Sequence, residues 1–184
     1  MNGTKIQSLS KIAAYLAGIN ELLGRALAWL TLLMVLITFA VVVLRYGFNL
    51  GWIGMQESVS YLHALVFMLG AGYAFKHEAH VRVDIFYRNF SPRRQAWINL
   101  LGNLLLLIPF TVFILVNSFD YVAASWRIHE ASSETGGLPY IYLLKTVIPA
   151  MAVVLLLQAV ANSLENLVTL ISGQSASHDS EVEV

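Results

Sequence analysis

The sequence has no cysteine, which removes disulfide frameworks, thiolate zinc sites, iron–sulfur clusters and cysteine nucleophiles. Charge is also scarce: Asp, Glu, Lys and Arg make up 12% of the 184 residues, against about 25% in an average soluble domain. Neither sign prevails, since 11 Lys and Arg balance 11 Asp and Glu. No overall field therefore draws a polyanion, and nucleic acid is excluded as a partner. A Gly-rich phosphate loop, a serine-nucleophile motif and an HExxH pair are all missing. The chain is not read as an enzyme.

What is present in excess is apolar: 58% of residues are hydrophobic. The few charges avoid four windows, Ala26 to Leu44 (19 residues), Ser58 to Phe75 (18), Gln95 to Phe119 (25) and Thr146 to Leu164 (19). A helix crossing the hydrocarbon core needs about 20 residues, so each window can span a bilayer. A soluble helix would carry charges every few residues on its outer face. The fold expected is an all-α integral membrane protein with four transmembrane helices over about 26–48, 57–75, 95–119 and 139–167. These lie within a domain covering 25–171, preceded by a segment 1–24 and followed by an acidic tail 172–184 expected to be disordered.

In the first segment Ile6, Leu9, Ile12, Leu16, Ile19 and Leu23 recur every three or four positions, while Lys5, Gln7, Ser8, Lys11 and Asn20 fall mostly off that stripe. Such an amphipathic segment can lie in the membrane interface, pack on another chain, or simply extend the first spanning helix. The apolar stretch after Arg25 exceeds a signal-peptide core, so the segment is read as mature sequence. With a cytoplasmic N-terminus, eight basic residues fall inside (Lys5, Lys11, Arg25, Lys76, Arg82, Arg88, Arg93, Arg94) and three outside (Arg45, Arg127, Lys145). Four spans then place both termini in the cytoplasm. Trp29 and Trp97 near the inner ends, and Tyr46, Phe48, Trp52, Tyr121, Trp126, Tyr140 and Tyr142 near the outer ends, form the matching aromatic belts.

The punctuation agrees with this order. Asn49-Leu-Gly51 and Thr135-Gly-Gly-Leu-Pro139 are turn sequences, with Pro139 expected in the first turn of the fourth helix. Ser91-Pro92 reads as the start of the third helix, after an inner connection 76–94 that mixes apolar and basic residues against the headgroups. Pro109 removes a bond to the carbonyl of Leu105 and should kink that helix. Gly70 and Ala74, one turn apart, permit close helix approach.

Polar residues at membrane depth are the candidates for function. His63 is the one histidine well inside a window, and a bundle-internal hydrogen bond is expected of it; haem ligation would require a second axial histidine. His77, His80 and Asp84 could bind a metal, but a local network with Arg82 or Arg88 is the preferred reading. Neither metal nor cofactor is assigned. Arg45 and Glu57 lie at similar depth on a short connection, which favours an ion pair or contact with a second protein. Gln158, Asn162, Glu165 and Thr169 recur at helical spacing in the fourth span, and Asn99 and Asn103 in the third. Interhelical hydrogen bonding or a membrane partner is the expected resolution.

The run Arg45-Tyr-Gly-Phe-Asn49, followed by Trp52, Gln56-Glu57, Tyr61, Gly70-Ala-Gly-Tyr73 and His80-Val-Arg-Val-Asp84, resembles the small membrane subunit of tripartite ATP-independent periplasmic (TRAP) transporters, the DctQ-like family. The resemblance extends from about Leu27 to Leu167. Ser133-Glu-Thr-Gly-Gly-Leu-Pro139 looks like the branch labelled for mannitol, chloroaromatic compounds or 2-oxo acids. The resemblance implies a bacterial inner-membrane protein working with two partners: a periplasmic binding protein that captures a carboxylate, and a large multi-span subunit that carries it across with sodium. This chain would brace that subunit. No catalytic, metal or cofactor residues are carried over. By position, Arg45, Trp52 and Glu57 match the outer motif and His80 and Asp84 the inner one; with Gln158 and Asn162 they are expected in structural or subunit contacts. Gln56-Glu57 departs from the paired acidic residues common in the family. Arg127, His129, Glu130 and Glu134 could meet the docked binding protein. A self-contained channel or carrier, and a haem-binding electron-transfer subunit, are the alternatives from other classes.

Overall fold

The computed structural model describes residues 3–77, 87 and 89–172. Among them every regular element is helical. Helix α1 spans Gly3–Gly47, α2 Ile53–Lys76 and α3 Pro92–Gly102; a π-turn, Asn103–Leu107, joins α3 to α4, Ile108–Arg127, and α5 runs Ile141–Ser172. With α3, the π-turn and α4 counted as one unit, Pro92–Arg127, four helices are long and apolar enough to cross a membrane. The chain is a multi-pass membrane protein. His80, Asp84, Arg82, Arg88 and the acidic tail beyond Ser172 lie outside the described residues.

Continuity distinguishes α1. Its 45 residues give about 67 Å at 1.5 Å per residue, more than twice the roughly 30 Å hydrocarbon thickness. The amphipathic segment is therefore one helix with the first span. Its buried side chains are Ala13, Ala17, Asn20 and Leu27, whereas Ile12 and Ile19 of the large aliphatic stripe are exposed. Small residues and Leu27 bring α1 against its neighbours; Leu16 and Leu23 are half-buried, and Ile12 and Ile19 face away.

Proline placement explains the third span. Ser91 is extended ahead of α3 and Pro92 occupies its first turn, where a missing N–H costs nothing. Pro109 leaves the Leu105 carbonyl without its usual donor, and the helix widens into the π-turn just before it, with the Ile108 N–H turned back to the Asn103 carbonyl. Thr111, fully buried, places its hydroxyl 2.9 Å from the carbonyls of both Leu107 and Ile108. Pro139 is not in the first turn of the last helix as expected, because α5 begins two residues later at Ile141. It also tolerates Pro149 within its length.

Helix α5 packs against α1, α2, α3 and α4. Ala152, Ala159 and Ala161 are completely buried along it, and small side chains let helices approach closely where apolar burial against lipid offers little gain. The tightest approach of α2 is at Gly72, not at Gly70: a Cβ there would lie 2.4 Å from Val154 and 2.9 Å from the Asn20 carboxamide oxygen. Gly24 of α1 is filled by the Tyr73 ring in the same way. At one end of the bundle lie the connection after α1 and the loop from Ile128 to Tyr140; at the other, α1 and α5 continue past the end of α2.

Gly72→Ala should destabilise the bundle by about 1–3 kcal/mol, the usual cost of overpacking. Gly18→Ala, with nothing within 4 Å of the added methyl, should leave the thermal midpoint in detergent unchanged or slightly raised. Equal midpoints for the two variants would refute the close approach at Gly72.

Candidate functional site

Two polar constructions hold the helices in register. The first is a chain of amides. Asn20, fully buried in α1, donates from Nδ2 to Gln158 Oε1 at 2.9 Å and toward the Val154 carbonyl at 3.4 Å. Gln158, 1% exposed, donates in turn to Asn162 Oδ1 at 2.7 Å, and Asn166 Nδ2 reaches the Asn162 carbonyl at 2.6 Å. Asn20 Oδ1 has no hydrogen-bond partner among the described residues and lies over Gly72, where only a residue without Cβ leaves it room. Carboxamides do not ionise, so this chain can fasten helices but cannot relay protons.

Next to Asn20 in α1, Glu21 collects Arg25 at 3.1 Å and, one turn past Gly72 on α2, both Lys76 and His77 at 2.8 Å. This closes the end of α2 onto α1. At the start of the third span, Tyr87 accepts from Gln95 through its carbonyl at 3.1 Å and from Asn99 through its hydroxyl at 2.7 Å.

The second construction is the loop between α4 and α5. The Glu57 carboxylate, at the start of α2, accepts from the Ser132 hydroxyl and, at 2.6 Å, from the Leu138 N–H. Ser132 N–H meets the Leu138 carbonyl at 3.0 Å and Gly137 N–H the Glu134 carbonyl at 3.0 Å. A Cβ on Gly137 would fall 2.5 Å from Ser132 Oγ and 2.8 Å from Glu57 Oε1, and Gly136 has φ +81°, a region that favours glycine. Gly-Gly is thus required where the loop folds onto α2. Beside it Lys145 pairs with Glu130 at 2.5 Å and stands 4.2 Å over the Tyr121 ring. Trp126 donates to Thr146 at 2.9 Å and meets Tyr142 edge-on at 4.7 Å, while His129 meets the same ring at 5.6 Å. The Lys145 ammonium holds the Glu130 carboxyl below the ordinary carboxylate range.

The sequence-derived candidates are distributed unevenly over these constructions. Gln158 and Asn162 come together in the amide chain. Glu57 is brought to the loop and not to Arg45: the favoured ion pair does not form, because Arg45 is exposed and meets no carboxylate among the described residues. Trp52 stands just ahead of α2, mostly exposed, with its Nε1 near Gly54. His63 is exposed and stacks on Phe67 at 6.1 Å, so the bundle-internal hydrogen bond expected of it is absent among the described residues. Among the same residues no three His, Cys, Asp or Glu side chains gather as a metal site. Asn20 and Glu21 escaped sequence reasoning. The signal for Asn20 was the spacing Ala13, Ala17, Asn20, Gly24, a small-residue stripe beside the aliphatic one.

The family model described as "Tripartite ATP-independent periplasmic transporters, DctQ component" matches residues 34–169. The C4-dicarboxylate TRAP transporter small permease protein DctQ of Vibrio cholerae is 28% identical over 112 residues, 61% of this chain and 47% of that protein. A Haemophilus influenzae protein, provisionally named a TRAP transporter small permease protein, is 39% identical over 77 residues, 41% of this chain and 47% of that protein. The matched part of the chain spans about half the length of these curated relatives. No solved structure matches.

A double-mutant cycle on Asn20→Ala and Gln158→Ala should give a coupling of about 0.6–1.7 kcal/mol, the range measured between membrane helices. Strict additivity would show that the two amides do not support each other. At the loop, the lowered Glu130 pKa means that the pair with Lys145 stabilises the fold above the ordinary carboxylate range and loses that effect as pH falls through the lowered value. Acid titration of the thermal midpoint should therefore show a shallower acid limb for Lys145→Met than for the unmodified chain.

Proposed function

Because the chain belongs to the DctQ-component family of tripartite ATP-independent periplasmic transporters, we propose that it serves as the small permease subunit of a sodium-coupled, binding-protein-dependent uptake system for organic carboxylates, bracing the large transport subunit. The observation that carries the bracing role is the way the bundle's polar groups are used. Asn20, Gln158, Asn162 and Asn166 bond to one another or to backbone, Glu57 bonds to the loop beside it, and Glu130, within that loop, bonds to Lys145 of α5. Completely buried alanines fill the centre along α5. Such an interior supports rigidity, not passage of a charged solute, which would need a lined and hydrated route.

The carboxylate substrate is supported by the C4-dicarboxylate name of the Vibrio cholerae relative. The orientation, with both termini inside the bacterial inner membrane, rests on the eight-to-three division of Lys and Arg. In that orientation the Glu21–Lys76 rim faces the cytoplasm, and the loop pinned by Glu57 faces the periplasm. There Arg127, His129 and Glu134, all exposed, with Glu130 beside them, are available to the periplasmic binding protein.

Affinity purification of the tagged chain co-expressed with its genomic neighbours in mild detergent tests this reading. The expected result is a roughly stoichiometric larger multi-span protein, and carboxylate uptake into liposomes that needs that protein, the binding protein and a sodium gradient. Transport by this chain alone would overturn the reading in favour of a self-contained carrier.

A further inference from the structure

The polar groups on the outside of the bundle at membrane depth are treated in two different ways. Thr31 and Thr38, exposed on α1, return their hydroxyls to the carbonyls of Leu27 at 3.3 Å and Met34 at 2.7 Å. Asn117, exposed on α4, does the same with the Phe113 carbonyl at 2.8 Å. Each donor is satisfied within its own helix, and each of these faces can meet lipid. Around them the exposed residues include Leu33, Leu36 and Phe39 on α1 and Leu105, Phe110 and Phe113 along the third span, whose exposed charge, Asp120, lies toward its Arg127 end.

Helix α2 is different. Between Gly54 and Lys76 its exposed positions are Ser60, His63 and Phe67, one row at spacings of three and four. His63 lies ten residues from Ile53, about 15 Å along the helix and thus near the middle of a bilayer about 30 Å thick. Neither the Ser60 hydroxyl nor the His63 ring forms a hydrogen bond among the described residues, and the ring's neighbour is Phe67. An imidazole carries both a donor and an acceptor when neutral, and here neither is returned to its own helix as the threonine hydroxyls are. Hydrocarbon satisfies neither nitrogen. Side chains of this kind within membrane spans face protein or water in nearly all cases.

We propose that the Ser60–His63–Phe67 row of α2 is the surface on which the large multi-span subunit docks, through a membrane helix that presents an uncharged hydrogen-bonding side chain to His63 and Ser60 and an apolar side chain to Phe67. The inference rests on the small-subunit reading above and adds the face, the depth and the chemistry of the contact. The apolar faces of α1 and the third span are left to lipid. An uncharged partner is specified because the row carries no carboxylate or ammonium of its own, so a buried charge opposite it would have no counter-charge on this chain.

A photoreactive phenylalanine analogue placed at position 60 or 63, and for comparison at 36 or 113, in the chain co-expressed with the large subunit tests the assignment directly. Adducts to the large subunit should form from 60 and 63 at about tenfold higher yield than from 36 and 113. As a second measurement, His63→Leu should lower the retained large subunit by about tenfold, the loss of one well-made contact. It should leave the thermal midpoint of the isolated chain unchanged, since the ring lies outside the bundle, and His63→Gln should retain the partner. Adducts to lipid alone, adducts to a second copy of this chain, equal yields from all four positions, or full retention by His63→Leu would each overturn the docking face while leaving the small-subunit reading intact. Absence of any large subunit from the purified material would overturn both.

Discussion

The meeting of Asn20 with Gln158 against Gly72 is the constraint on which the rest of the bundle depends. Three helices pass through one point there. A buried amide must find a partner, since leaving it unmet costs more than the bond itself returns, so α1 can take only the rotation and height that set Asn20 beside Gln158. Gly72 then fixes α2, because its missing side chain makes room for both Val154 and the Asn20 oxygen. Once these are set, Glu21 falls level with Lys76 and His77 and the charged rim closes without further adjustment. Register in an apolar bundle is poorly specified by leucines that are interchangeable with lipid; here three named residues specify it.

The same logic explains why so much of the architecture could be read from sequence and why the buried contacts could not. The spans were legible because charge is excluded from a bilayer, and its exclusion leaves windows such as Gln95 to Phe119 that need no structure to see. Ser91-Pro92 was legible because proline is welcome in the first turn of a helix. Which side of a helix is inside was not legible, since large aliphatic residues suit lipid as well as a core. The aliphatic stripe of α1, with Ile12 and Ile19 exposed, left the packed side unmarked, and Ala13, Ala17 and Asn20 carried the packing. Arg45 and Glu57 share a depth, and depth says nothing about direction: Glu57 turns to a loop some 75 residues away in sequence, and Arg45 turns outward. Pro109 announced an irregularity, but its form, a π-turn ahead of the proline, depended on where Asn103 and Thr111 could be buried.

Rigidity is built at both ends of α2, and this is what connects the fold to the proposed bracing role. The loop from Ile128 to Tyr140 is not a free connection: Glu57 holds it at two donors, and a pair of glycines lets it lie directly on α2. At the opposite end α1 continues for several turns past the level of Lys76. A body fastened at two levels resists shear between its helices, because any sliding must break bonded groups that have no solvent to replace them. A transport subunit that moves within the membrane needs a neighbour of this kind, one whose own internal arrangement does not change while the moving part does.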